Sequence, residues 1–134
     1  MSLQASLPPN KPEHIHVFIG YDDREPNEWK VAKESILDHA LRPVSVYPLK
    51  HRTLRDIGLF NREWKVTPNG TYQDIKDGRP FSTQFAFTRF LVPAYATYLG
   101  LSSGDLAVFV DSDFVFLQDI YKLSDEMKMG NKPV

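Results

Sequence analysis

Between residues 15 and 49 the chain writes a strand, a helix and a second strand in close succession, and that order restricts the fold more than any other feature. Ile15–Gly20 reads IHVFIG, β-branched and aromatic and closed by a glycine. A polar loop follows, Tyr21-Asp22-Asp23-Arg24-Glu25, and then Pro26, which suits the first turn of a helix. Trp29, Ala32, Lys33, Ile36, Leu37, Ala40 and Leu41 carry the three-four spacing of an amphipathic helix, stopped by Arg42-Pro43. Val44–Leu49 is the second strand. A helical crossover between two strands returns the chain in the same direction, so the pair is expected to be parallel.

Residues 50–80 are less patterned. A helical turn is expected over 54–59, and Pro68-Asn69-Gly70 and Asp77-Gly78 are turn signals inside a long surface excursion. Residues 81–99 predict a second apolar helix, with Ser82 as N-cap and Pro93 kinking or dividing it. Ser102-Ser103-Gly104-Asp105 turns the chain into the apolar run 106–110, and residues 117–129 predict a return strand and a short helix. The order predicts an α/β fold, a mostly parallel sheet with flanking helices. Residues 1–13 are polar and proline-bearing and are expected to form a loose tail, leaving 14–134 as a single domain. At 134 residues, 42% of them hydrophobic, the chain has material for one real core. A net charge of -1 removes the electrostatic footprint of nucleic-acid binding. The absence of cysteine removes disulfides, zinc–thiolate sites and thiol catalysis, and it favours a cytoplasmic setting. No apolar stretch approaches the ~20 residues a membrane span needs.

The chemistry concentrates where Leu106-Ala107-Val108-Phe109-Val110 runs into Asp111-Ser112-Asp113. Two carboxylates at the end of a buried strand are costly to desolvate unless a cation or donors compensate them. Ligands collect at the carboxyl ends of parallel strands. Alternate residues on an extended backbone face the same way, so both acids are expected to converge on one point. Hard oxygen ligands suit manganese or magnesium, and two carboxylates leave most of the shell open for phosphate and water. Asp111 and Asp113 are therefore the candidate metal ligands, holding Mn²⁺ or Mg²⁺ and through it a diphosphate. Arg89, set among Phe85, Phe87, Phe90 and Leu91, is either a guanidinium snorkelling from a packed helix or a grip for paired oxygens. The four histidines are scattered, and neither a Gly-x-Gly-x-x-Gly nor a P-loop is present.

Three pieces in order, Phe18-Ile19-Gly20-Tyr21-Asp22, then Phe87-Thr88-Arg89-Phe90-Leu91-Val92-Pro93, then Val108-Phe109-Val110-Asp111-Ser112-Asp113 with Val115, Leu117, Ile120 and Leu123 behind it, resemble the GT-A glycosyltransferases, especially family 8, the glycogenin and galactosyltransferase group. The resemblance runs over about residues 14–125. It implies a Rossmann-like GT-A fold and metal-dependent transfer of a sugar, with retention of configuration, from a nucleotide diphosphate donor such as a UDP-sugar to a hydroxyl acceptor. It implies that Tyr21 flanks the base, that Asp22 bonds base or ribose, that Ser112 bonds the ribose, and that Arg89 reaches the donor's phosphate or sugar as the catalytic cation. Arg24 stands near enough in sequence to reach a phosphate. Such enzymes continue well past this length, with acceptor contacts and a metal-ligating histidine in the later part, and residues 114–134 contain no histidine. The alternatives are accordingly a donor-binding module without turnover, with an open sheet edge inviting self-association, and a haloacid-dehalogenase-like phosphatase using the first Asp as nucleophile. The last places its motif early and needs later motifs, for which little chain follows Asp113.

Overall fold

Every residue of Ile15–Gly20 is buried, which puts this strand at the centre of the molecule. The computed structural model describes residues 3–6, 14–122 and 125. Its strands and helices run β1 (Leu3–Ser6), β2 (Ile15–Gly20), α1 (Pro26–His39), β3 (Val44–Leu49), α2 (His51–Asp56), β4 (Trp64–Val66), β5 (Tyr72–Asp74), β6 (Pro80–Phe81), a 3-10 helix (Thr88–Leu91), α3 (Val92–Tyr98) and β7 (Leu106–Val110). The main sheet has the order β1-β7-β2-β3. β2 pairs in parallel with β3, from Ile15 opposite Val44 to Gly20 opposite Leu49, and with β7, from Ile15 opposite Leu106 to Ile19 opposite Val110. The fold is thus α/β, with three parallel strands and helices on both faces. Pro48 sits within β3, an outer strand, where a missing backbone donor is tolerated.

The alternation of a β-strand divides the core in two. Ile15, Val17 and Ile19 face one way, with Val108 and Val110, and pack on Ala32 and Ile36 of α1 and on Phe116, Ile120 and Tyr121. Phe18 and Phe109 face the other way, onto Leu54 of α2, Val92 and Tyr95 of α3, Phe60 and Phe85. Each large side chain so buried contributes roughly 1.5–3 kcal/mol. Tyr121 pins the chain's later part to the first parallel strand: its hydroxyl accepts from the Ile15 amide at 3.2 Å and donates to the Pro43 carbonyl at 2.7 Å.

Four expectations change. Within the segment read as a loose tail, Leu3–Ser6 forms an antiparallel strand on β7, Leu3 opposite Val110, so β7 is paired on both sides and the outer strands are β1 and β3. The single helix over 81–99 is a series of turns, a 3-10 helix and then α3, and Ser82 caps nothing. The Gln84 amide is taken by Asp22 at 3.1 Å, which holds the start out of a helix, and Pro93 lies in α3's first turn, where its missing N–H is harmless. The excursion contains a second, three-stranded antiparallel sheet, β4-β5-β6, with strands too short to leave a pattern. Its turns fall where the sequence signals them: Gly70 and Gly78 have φ of 84° and 73°. The return strand does not form among the described residues of 117–129. Phe116, Ile120 and Tyr121 pack onto the α1 face instead, and a helical turn spans 120–122; the remainder of that expectation lies outside the described residues.

Candidate functional site at the carboxyl ends of the parallel strands

β2 and β7 run side by side and end together, so the loops after them meet. Those loops, the first turn of α1 and the segment 82–89 enclose a cavity of about 500 Å³. Asp22, Arg24, Glu25 and Glu28 line it from the β2 side, Asp111, Ser112 and Asp113 from the β7 side, and Ser82, Thr83, Phe85, Ala86 and Arg89 from the third. Five carboxylates thus face two arginines, and the charge balance is acidic.

Asp111 and Asp113 both line this cavity, but not for the reason alternation supplies. The backbone after β7 is a turn, closed by the Phe114 amide on the Asp111 carbonyl at 3.1 Å. Asp111 is half-buried and Asp113 exposed, while Ser112 turns inward and is 6% exposed. The Ser112 hydroxyl donates to Glu28 Oε2 at 3.1 Å, so its nearest partner is a protein carboxylate.

Asp22 is 4% exposed and works as a hub. It accepts from the Arg24 amide at 3.0 Å, the Gln84 amide at 3.1 Å, the Arg24 Nε at 3.3 Å and the Tyr72 hydroxyl at 3.4 Å. Burial alone would raise its pKa; the Arg24 and Gln84 hydrogen bonds and the Arg24 charge outweigh this and hold it below the ordinary value. Arg24 is spent on structure: it donates to the Gly70 carbonyl at 2.9 Å and the Ser82 carbonyl at 2.7 Å, and lies over the Tyr72 ring at 4.1 Å. Gln84 completes the group, its side chain accepting from the Asp23 amide at 2.8 Å and donating to the Tyr72 hydroxyl at 2.9 Å. Through these bonds the excursion's small sheet braces the cavity wall.

Arg89 differs. Its Nε is buried and has no hydrogen-bond partner among the described residues, and its guanidinium lies over Phe90 at 5.0 Å. It is the arginine of the cavity left with donors to spare. Tyr21 does not line the cavity; its ring meets the edge of Trp29 and lies under the Lys50 ammonium at 4.7 Å. A second cavity of about 490 Å³ lies away from the strand ends, between 59–63, 75–76 and Phe87. Its Arg62 is committed to Asp74 at 2.8 and 2.9 Å and to Asp77 at 2.8 Å.

Among the described residues no three His, Asp or Glu side chains are gathered to cage a metal ion. The donor set on the β7 side, two hard carboxylates at the mouth of an acidic cavity, fits a cation that takes its remaining ligands from a bound phosphate and water. Glu28 and Phe85 are site residues that sequence reasoning did not single out, and Gln84 is one it read as the start of a helix. Glu28 had one signal, an acid in the first helical turn after the first strand; the other two are recognised only through their tertiary contacts.

Phe85 also explains Gly20. A Cβ at Gly20 would lie 2.6 Å from the Phe85 ring, so a glycine at the end of β2 is what lets this cavity wall close. No protein-family model matches the chain, and no solved structure matches it. It is 37% identical over 111 residues to "Protein CDI" of Arabidopsis thaliana, an alignment that takes in 83% of this chain and 36% of that protein. The chain therefore spans about a third of the length of the curated relative it matches.

Proposed function

We propose that this chain is the donor-binding part of a GT-A-like glycosyltransferase, in which the 500 Å³ cavity takes a nucleotide diphosphate-sugar, such as a UDP-sugar, for transfer to a hydroxyl acceptor. The observation that carries the reading is the meeting of Asp111, Asp113 and Arg89 on one acidic cavity at the carboxyl ends of parallel strands. In dinucleotide-binding folds a diphosphate sits on the helix N-terminus after the first strand. Here Glu25 and Glu28 flank that N-terminus and repel an anion. A diphosphate in this cavity needs positive charge from elsewhere.

Asp111 and Asp113 would hold the cation, manganese or magnesium. When bound, it neutralises the charge that develops on a departing diphosphate. Arg89 adds a fixed positive charge from the facing wall, its unspent donors directed at leaving-group oxygens, which makes it the candidate catalytic residue. Asp22, with its oxygens engaged by Arg24, Gln84 and Tyr72, shapes the base end of the cavity, and Phe85 supplies an apolar wall.

A second reading, a nucleotide-sugar-binding module that does not turn over, is favoured by one observation, the lack of a third metal-ligating side chain beside Asp111 and Asp113 among the described residues. Incubation with UDP-glucose or UDP-galactose and manganese, with release of UDP followed by chromatography, separates the two. Release abolished in Arg89→Ala supports transferase chemistry. Binding by calorimetry without release supports the module. Absence of binding refutes both.

A further inference from the structure

We infer that Glu28 is the residue that recognises the sugar hydroxyls of the nucleotide's ribose, an inference resting on the nucleotide-sugar reading above. Glu28 stands in the first turn of α1 and lines the cavity beside Ser112. Its Oε2 accepts the hydroxyl of Ser112, a nearly buried residue, at 3.1 Å. A second tie holds the same two segments together seven residues along the helix, where the Ser35 hydroxyl accepts the Phe116 amide at 2.9 Å. Seven residues are two helical turns, so both ties lie on one face of α1 and hold Ser112, the middle of the Asp111–Asp113 turn, and Phe116 beyond it against the helix. The Glu28 carboxylate is thereby held beside the residue that separates the two aspartates.

A carboxylate has about four acceptor positions, and Ser112 takes one. What remains is an acceptor set with no donor of its own. It repels phosphate and has no use for an acceptor edge of a base, but it matches paired neutral hydroxyls. In a nucleoside diphosphate the ribose hydroxyls lie between base and phosphate. Glu28 lines the same cavity as the Asp22 hub and the aspartate turn, follows Asp22 on the continuous stretch of chain after β2, and is tied to the middle of that turn through Ser112. Ser112, whose hydroxyl is given to Glu28, acts as the positioning residue for that carboxylate rather than as the ribose ligand.

The shared chemistry is a pair of sugar-ring hydroxyls, and the transferred hexose is the other source of it, so the test has two arms. Calorimetry with manganese present compares UDP, 2′-deoxy-UDP and UDP-glucose on the wild type and on Glu28→Ala. A hydrogen bond to a charged group predicts that the wild type binds UDP about tenfold or more tighter than 2′-deoxy-UDP. Glu28→Ala should bind the two within about twofold, still require manganese, and keep the wild-type ratio between UDP-glucose and UDP. Glu28 is exposed on a helix, so alanine is compatible with folding, and a thermal melt checks it. Two results overturn the inference while leaving the nucleotide-sugar reading intact: unchanged discrimination between UDP and 2′-deoxy-UDP in the variant, with or without an equal loss of both, or a changed UDP-glucose ratio with ribose discrimination kept. A wild type that binds no UDP with manganese overturns both.

Discussion

Gly20→Ala is a one-carbon change with a calculable consequence. The new Cβ would lie 2.6 Å from two carbons of the Phe85 ring and 2.8 Å from a third. Carbon atoms ordinarily meet at ~3.5–4.0 Å, so the ring must retreat by roughly 1 Å. Gly20 is not among the glycines with positive φ, so alanine incurs no backbone strain and the whole effect is steric. Phe85 is buried and leans on Phe109, with ring centroids 6.2 Å apart, and its retreat is toward the cavity it lines. Overpacking of this kind costs about 1–3 kcal/mol. Urea unfolding of Gly20→Ala, Phe85→Ala and the double variant measures it. Alanine at 85 removes the Cγ and both Cδ carbons that the new Cβ would meet, so Gly20→Ala should cost less than about 0.5 kcal/mol in that background, with a coupling near 1 kcal/mol or more. Strict additivity of the two changes would refute the contact as the reason for glycine.

Other outcomes follow from particular bonds. Tyr121→Phe leaves the buried Ile15 amide and Pro43 carbonyl without the hydroxyl that serves both, and should destabilise the fold by roughly 1–3 kcal/mol in urea unfolding. Tyr72→Phe removes a hydroxyl shared by Gln84 and Asp22 and should cost about 1 kcal/mol while weakening nucleotide binding through the cavity wall. Asp22 has a folded pKa below its ordinary 3.8, so the native state holds its proton less tightly than the unfolded chain. Its stabilisation is complete above that ordinary value and is lost as pH falls through the lower folded one; a urea midpoint measured from pH 6 to pH 2 should drop below pH 4, and less steeply in Asp22→Asn. Arg89→Ala should lower manganese-supported UDP affinity about tenfold or more, whereas Arg62→Ala, whose guanidinium serves Asp74 and Asp77, should alter stability and not binding.

The central fold was legible because its signals are local. Ile15–Gly20, α1 and Val44–Leu49 each carry their own periodicity, and a crossover between strands fixes their relative direction. Residues 81–99 misled because apolar count resembles a helix whether or not the amide at Gln84 is taken by an aspartate sixty-two residues earlier. β4, β5 and β6 have three, three and two residues, too few for alternation to register. At the site, the aspartate pair was visible as an acid break in a buried run. Its geometry was not: the backbone turns at Ser112, and the two carboxylates reach the cavity through that turn. Arg24 was a reasonable phosphate candidate from position alone, but its charge is spent on Asp22 and two carbonyls, which only the folded chain makes evident.

The decisive measurement is a titration of the full chain with UDP, with and without manganese, repeated on Asp113→Asn. Binding that appears only with the metal and vanishes in the variant is the expected result. UDP binding of equal strength without manganese, or unaffected by the loss of the Asp113 charge, would contradict a cation held between Asp111 and Asp113 as the anchor of this site.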